Sequence, residues 1–187
     1  LYVAMANGEL IAINLSTYQI VKRAFFLKER IRQIKFWGNK IFLACSDATI
    51  KIVDKNLTLL QTVQAHDKSV MALAFHKDQL ISVGRDAHIN FWEIKEVLKR
   101  YHQIPAHMYA INDLVISPDE KYFATCSIDK TIKVWDTKSM RLLKVIDKSR
   151  MAGHGTSVNK LFWEDNRTIV SCSDDRTISI WQIKEQL

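Results

Sequence analysis

The sequence predicts an all-β chain assembled from repeated four-stranded antiparallel units, and three observations say so. First, four segments align along the 187 residues: IFLACSDATIKIVD (41–54), QLISVGRDAHINFWE (79–93), KYFATCSIDKTIKVWD (121–136) and RTIVSCSDDRTISIWQ (167–182). In each, an aspartate stands six residues before a bulky apolar side chain, pairing Asp47 with Val53, Asp86 with Trp92, Asp129 with Trp135 and Asp175 with Trp181. Second, these aspartates step by 39, 43 and 46 residues, close to the roughly 40–45 residues of one propeller blade. Third, β-branched and aromatic residues alternate with polar ones over short runs, as in Thr131-Ile132-Lys133-Val134-Trp135. That is the period-2 signature of half-buried strands. The expected fold is a β-propeller of four-stranded antiparallel blades, with about four and a half blades in this chain.

The units can be justified in order. The opening segment YVAMANGELIAINLSTYQIVKRAFF (2–26) keeps the alternation but lacks the signature residues, so 1–28 reads as a partial blade. Residues 29–65 hold the Asp47 unit, with a turn at Asn39. Residues 66–106 follow Ala65 and begin at His66; residues 107–153 follow Ala106, begin at His107 and turn at Ser117-Pro118-Asp119. Residues 154–187 follow Gly153, begin at His154 and turn at Glu164-Asp165-Asn166. Such residues favour turns because their short polar side chains bond the local backbone or, for proline, preset φ. Glu93 to Arg100 is the one stretch that could wind as a helix, and it is too short to outweigh the strands around it. With only 2 prolines and 5 glycines the chain has no flexible linker.

Gly/Ala-His at the start of a unit, Ser-Pro-Asp after its first strand and Trp-Asp at the end of its third resemble the WD-repeat family of β-propellers. The segment MYAINDLVISPDEKYFATCSIDKTIKVWD (108–136) is close to the family consensus, and the likeness recurs in register over nearly the whole chain. The departures are that no histidine precedes the Asp47 unit and that Val53 stands where tryptophan is expected. In the family's blade order, with strand a innermost and d outermost, 1–28 resembles strands b to d and 154–187 strands a to c. The resemblance thus implies the C-terminal part of a seven-bladed ring, the missing blades supplied by the rest of the same protein. A solitary arc would expose strand edges and blade faces, so this segment alone is expected to be unstable or to self-associate.

Ser171, His154 and Asp175 are also the residue types of a hydrolase triad. The resemblance implies a structural role instead. The Trp of strand c bonds a Ser/Thr hydroxyl on strand b, the hydroxyl bonds the entry His, and the His bonds the Asp of the b–c turn. By position the sets are His66-Ser82-Asp86-Trp92, His107-Thr125-Asp129-Trp135 and His154-Ser171-Asp175-Trp181. A nucleophile is needed once, beside an oxyanion hole; this arrangement occurs at the repeat period, with Thr replacing Ser in one copy, and lacks a nucleophile elbow. No catalytic residue, cofactor or metal is expected. Cys126 and Cys172 occupy equivalent positions, and Cys45 joins them if a one-residue deletion is allowed in its turn. Equivalent residues of successive blades do not converge on one ion, so the cysteines read as core fillers on the strand face opposite the Ser/Thr.

Composition sets the rest. The chain is 48% hydrophobic and 25% charged, as in an ordinary globular protein, and no apolar run approaches the roughly 20 residues of a membrane span. Three cysteines without a C-x-x-C pair point to free thiols in a reducing compartment, the cytoplasm, with the nucleus as the alternative. The net charge of +7 raises nucleic acid as a partner, but the basic residues are scattered, and a protein or peptide partner is the leading expectation. The resemblance places such a partner on the face of the d–a and b–c loops. Two positions per blade look outward there: Arg32, Met71, Asn112 and Asn159 at the start of strand a, and Ser46, Arg85, Ile128 and Asp174 just before the turn aspartate.

Overall fold

The structure, a computed structural model, describes residues 1–183; positions 184–187, the end of the last unit, lie outside the described residues. It is all-β, built of five antiparallel sheets. The first holds β1 (Tyr2–Ala4), β2 (Glu9–Ile13) and β3 (Ile20–Phe25). The second holds β4 (Ile31–Trp37), β5 (Lys40–Cys45), β6 (Thr49–Asp54) and β7 (Leu59–Gln64). The third holds β8 (Val70–His76), β9 (Gln79–Gly84), β10 (His88–Glu93) and β11 (Lys99–Pro105). The fourth holds β12 (Ile111–Ile116), β13 (Tyr122–Ser127), β14 (Ile132–Asp136) and β15 (Leu142–Ile146). After a single helical turn, α1 (Lys148–Met151), the fifth holds β16 (Val158–Trp163), β17 (Thr168–Ser173) and β18 (Ile178–Gln182). Each sheet is an up-and-down meander of sequential neighbours.

The sheets stack through their faces. Along β5, Ile41, Leu43 and Cys45 enter the layer shared with the first sheet, and Phe42 and Ala44 the layer shared with the third. The same split recurs in β13: Phe123 packs toward the third sheet, Ala124 and Cys126 toward the fifth. Strand periodicity therefore sends alternate residues into two different cores, which is why these strands are apolar on both sides. The first strands of successive sheets lie side by side, β4 by β8, β8 by β12 and β12 by β16.

As expected, no helix forms over 93–100, where β10 ends at Glu93 and β11 starts at Lys99. Two local features were not expected. The one helical turn is α1, capped by the Asp147 carboxylate accepting from the Arg150 amide at 2.9 Å; it accommodates the longest of the aspartate steps. In β4, β8, β12 and β16 the pairing skips one residue, between Ile31 and Gln33, Val70 and Ala72, Ile111 and Asp113, and Val158 and Lys160. The skipped residues are the outward-looking Arg32, Met71, Asn112 and Asn159, each on a β-bulge, a device that re-aims side chains.

Candidate functional site

The site is built on the turn between the second and third strands of each four-stranded unit. The residue after the turn aspartate adopts a left-handed backbone in each copy: Ala48 (φ 68), Ala87 (φ 67), Lys130 (φ 72) and Arg176 (φ 67). L-residues hold that conformation at a cost, offset here by the aspartate, whose carboxylate accepts the amide two residues on (Thr49 at 3.1 Å, His88 at 3.2 Å, Thr131 at 3.0 Å, Thr177 at 3.0 Å). A fifth copy stands in the first sheet, where Asn7 accepts from the Glu9 amide at 3.2 Å and Gly8 has φ +82. There a Cβ would lie 2.0 Å from the Leu27 carbonyl oxygen, so only glycine fits. The dipeptide Asn-Gly, which sequence reasoning passed over, is the turn signal that could have found this copy.

Around three of the turns the structure brings together the side chains that the spacing singled out. Trp92 Nε1 donates to Ser82 Oγ at 2.9 Å, Ser82 Oγ lies 2.8 Å from His66 Nε2, and His66 Nδ1 lies 3.0 Å from Asp86 Oδ1. Trp135 reaches Thr125 at 3.0 Å, Thr125 reaches His107 at 2.8 Å and His107 reaches Asp129 at 2.9 Å. The third chain runs Trp181 to Ser171 at 2.8 Å, Ser171 to His154 at 2.8 Å and His154 to Asp175 at 3.1 Å. With a neutral imidazole the donors fall in one direction: indole N–H to hydroxyl, hydroxyl to Nε2, Nδ1–H to carboxylate. The aspartates reach further, to the amides of Asp67 (3.0 Å), Met108 (3.1 Å) and Gly155 (2.9 Å), and so tie the loop entering the sheet to the turn.

Electrostatics agree with full engagement. Burial works against the Asp86 charge, but hydrogen bonds from His66 and the amides of Asp67 and His88 outweigh it and hold its carboxyl at about 2. Asp129 is likewise held well below the usual carboxylate range, its burial outweighed by His107 and Thr131. At Asp175 the Thr177 hydroxyl is the main cause of the lowering. Burial lowers His107 against the pull of Asp129, keeping the ring neutral at pH 7. Ser82 and Thr125 are 0% exposed and Ser171 1%. Each hydroxyl accepts an indole N–H and faces an imidazole, so no substrate carbonyl can reach it.

The second sheet carries an apolar version. Leu43 occupies the hydroxyl position of Ser82 and Thr125, pairing Ile34 as they pair Leu73 and Leu114. It packs with Val53 and Leu27, the residue four before Ile31 where the other sheets have histidine. Asp47 is left without a histidine, and buried Lys51 replaces it, its Nζ 3.0 Å from Asp47 Oδ2 and 2.8 Å from Thr49 Oγ1. The register also corrects the placement of Cys45. Its partner is Ile31, as Ser127 partners Ile111, so it matches Gly84, Ser127 and Ser173 rather than Cys126. No residue is deleted in that turn, and Cys45 lies on the Leu43 face, not opposite it. Burial pushes its thiol up to about 12.

The outward positions separate into two groups. Arg85, Ile128 and Asp174 are exposed. The others are half-buried and partly used by the fold. Asn112 donates to Ser157 Oγ at 3.0 Å and Val158 O at 2.9 Å, Asn159 donates to Asp174 at 2.6 Å, the Ser46 carbonyl accepts from Ser69 Oγ at 3.0 Å, and Met71 packs on the core. Arg32 Nε and Ser46 Oγ are buried with no hydrogen-bond partner among the described residues. Beside Ile128 (46% exposed), the face also shows Met108 (82%) and Tyr109 (60%). Sequence reasoning passed over these two, although they follow His107 where the neighbouring units have Asp67-Lys68 and Gly155-Thr156. Among the described residues no group of three His, Cys, Asp or Glu could hold a metal ion, and no helix is long and apolar enough to cross a membrane.

Comparison with known proteins bears on this arrangement. The WD40 pattern, described as WD domain, G-beta repeat, matches residues 57–93, 98–136 and 146–182. The chain is similar to Lissencephaly-1 homolog 1 of Paramecium tetraurelia, 36% identical over 100 residues, 52% of this chain and 24% of that protein. It is similar to protein hir1 of Schizosaccharomyces pombe, 35% identical over 83 residues, 43% of this chain and 9% of that protein. It is also similar to polyadenylation factor subunit 2 of Candida albicans, 22% identical over 135 residues, 70% of this chain and 24% of that protein. The aligned region thus spans no more than 24% of the length of these relatives. The repeat matches cover more than half of the chain and contain all three indole–hydroxyl–imidazole sets, and the sheets have the expected meander; the chain belongs to the WD-repeat family of β-propellers.

Proposed function

We propose that this chain is a non-catalytic scaffold that presents the face of its entry loops and turns to a protein or peptide partner. Proteins built of this repeat generally act as protein-interaction scaffolds. The observation that carries the reading is the contrast between a repeated interior and a varied rim. The same polar chain fixes three loop–turn pairs, while the exposed residue before the turn aspartate changes from Arg85 to Ile128 to Asp174. A rigid frame holding dissimilar side chains suits recognition, because little order has to be gained on binding. The test is affinity capture by the intact protein, with bound proteins quantified by mass spectrometry. Arg85→Ala combined with Ile128→Ala should remove a partner seen with wild type while leaving the thermal melt unchanged. Identical capture would move the interaction off this face.

The net charge of +7 favours a second reading, association with nucleic acid. A steep fall of log K with log salt, its slope set by the phosphates contacted, would favour that reading; a shallow slope favours the first.

A further inference from the structure

Resting on that reading of the face, we propose that its occupant is a peptide segment with acidic side chains next to an apolar one, the carboxylates meeting Arg32 and Arg85 and the apolar side chain meeting Met108, Tyr109 and Ile128. The charged half is assembled from two sheets. The Ser46 amide donates to the Arg30 carbonyl at 3.0 Å, Ser69 Oγ to the Ser46 carbonyl at 3.0 Å, and the Arg85 amide to the Ser69 carbonyl at 2.9 Å. This relay sets the loops bearing Arg30 and Arg85 side by side, and Arg32, on the bulge of β4, feels the charge of both.

None of the three guanidinium groups makes a salt bridge among the described residues. Burial, then Arg30 and Arg85, lower the Arg32 pKa, with Glu29 acting the other way. Like charges gathered without a salt-bridged carboxylate oppose one another, and an incoming carboxylate relieves that opposition. Among the described residues, two of the five buried side-chain atoms without a partner, Arg32 Nε and Ser46 Oγ, lie in this one place. Buried polar groups are rarely left so, which marks this corner as unusual among the loops.

The apolar half is the next sheet along. Met108, Tyr109 and Ile128 stand out by 82%, 60% and 46%. Their backbones are nonetheless locked: Ile128 N to Ala110 O at 3.1 Å, Ser127 Oγ to Tyr109 O at 3.1 Å and Met108 N to Asp129 at 3.1 Å. Large apolar side chains held out on fixed backbone are what interface centres use. Beyond them, on the fifth sheet, Asp174 is exposed. Lys130 and Arg176 are exposed on the same turns, so what distinguishes the face is its arginines beside an apolar cluster, which suits a peptide carrying an acidic side chain next to an apolar one.

The test selects a phage-displayed library of random 12-residue peptides on the intact protein, then titrates the enriched peptides in fluorescein-labelled form. The proposal expects enrichment of Asp or Glu beside a Leu, Ile, Met or Phe. Binding should weaken roughly tenfold or more in Arg85→Glu and in Ile128→Asp, with thermal melts unchanged. It also expects selection on Arg85→Glu to enrich Lys or Arg where wild type enriches acid. Peptides without acidic residues that are still lost in Ile128→Asp would overturn the chemistry and leave the face as the binding site. Peptides insensitive to both variants would overturn the face as well. No enrichment, together with salt-steep binding of a random 20-nucleotide single-stranded RNA lost in Arg85→Glu, would overturn the peptide in favour of nucleic acid.

Discussion

At the scale of single residues, the buried hydroxyls of Ser82, Thr125 and Ser171 decide what the repeated polar sets can do. Each lies between an indole and an imidazole, so removing it strands two buried groups at once. Thr125→Val keeps the shape and loses the hydroxyl; urea unfolding of the intact protein should show a loss of about 1–3 kcal/mol. Thr125→Ser should stay near wild type, because serine already serves the other two sets. Acid should act through the partners. Asp86 is held at about 2 against an ordinary 3.8, so its contribution is complete above pH 3.8 and disappears as pH falls toward 2. His107 is lowered from 6.5, so its contribution holds above that pH and declines below it. A urea midpoint followed from pH 7 to pH 2 should therefore begin to drop below 6.5 and fall most steeply under pH 4, and Asp86→Asn should flatten the steep part. A midpoint indifferent to pH over that range would contradict these linkages.

At the scale of elements, the turns are strained in a way that substitution can read. Ala87 has φ 67, which glycine adopts freely, so Ala87→Gly should raise stability by a few tenths to about 1 kcal/mol. Gly8→Ala should do the reverse, because the new Cβ meets the Leu27 carbonyl at 2.0 Å; faster hydrogen exchange in β1 and β2 would report it. Most of this architecture was legible in the sequence, since the aspartate that organises the turn is itself the repeating mark. Val53 shows in the sequence as the replaced tryptophan, but the residues that answer it escape. Leu27 and Leu43 join Val53 to convert a polar set into an apolar pocket, and Lys51 takes over the aspartate from a histidine that is absent. Neither shows in a pattern search that looks for the residues replaced. The sequence misplaces Cys45 because the dipeptide Cys-Ser recurs, whereas strand register follows the turn aspartate. Met108 and Tyr109 carry no periodicity at all; only their exposure reveals them.

At the scale of the whole molecule, the second, third and fourth sheets each contribute one face to the core before them and one to the core after them. Hydrogen bonds also pass between sheets: Gln33 Oε1 accepts from the Leu73 amide at 2.6 Å, and Asp113 from the Leu161 amide at 3.1 Å and from Lys160 Nζ at 3.2 Å. The loop face therefore inherits its rigidity from the stack beneath it, and the polar sets are the pins that transmit that rigidity to the rim. On this account the serine, histidine and aspartate near the end of the chain hold a surface in place and perform no chemistry. The measurement that tests this most directly is equilibrium unfolding of His154→Ala in the intact protein. A loss of about 1–3 kcal/mol, the cost of leaving Ser171 and Asp175 without their shared partner, is the predicted result. Unchanged stability accompanied by loss of a hydrolytic activity would contradict it.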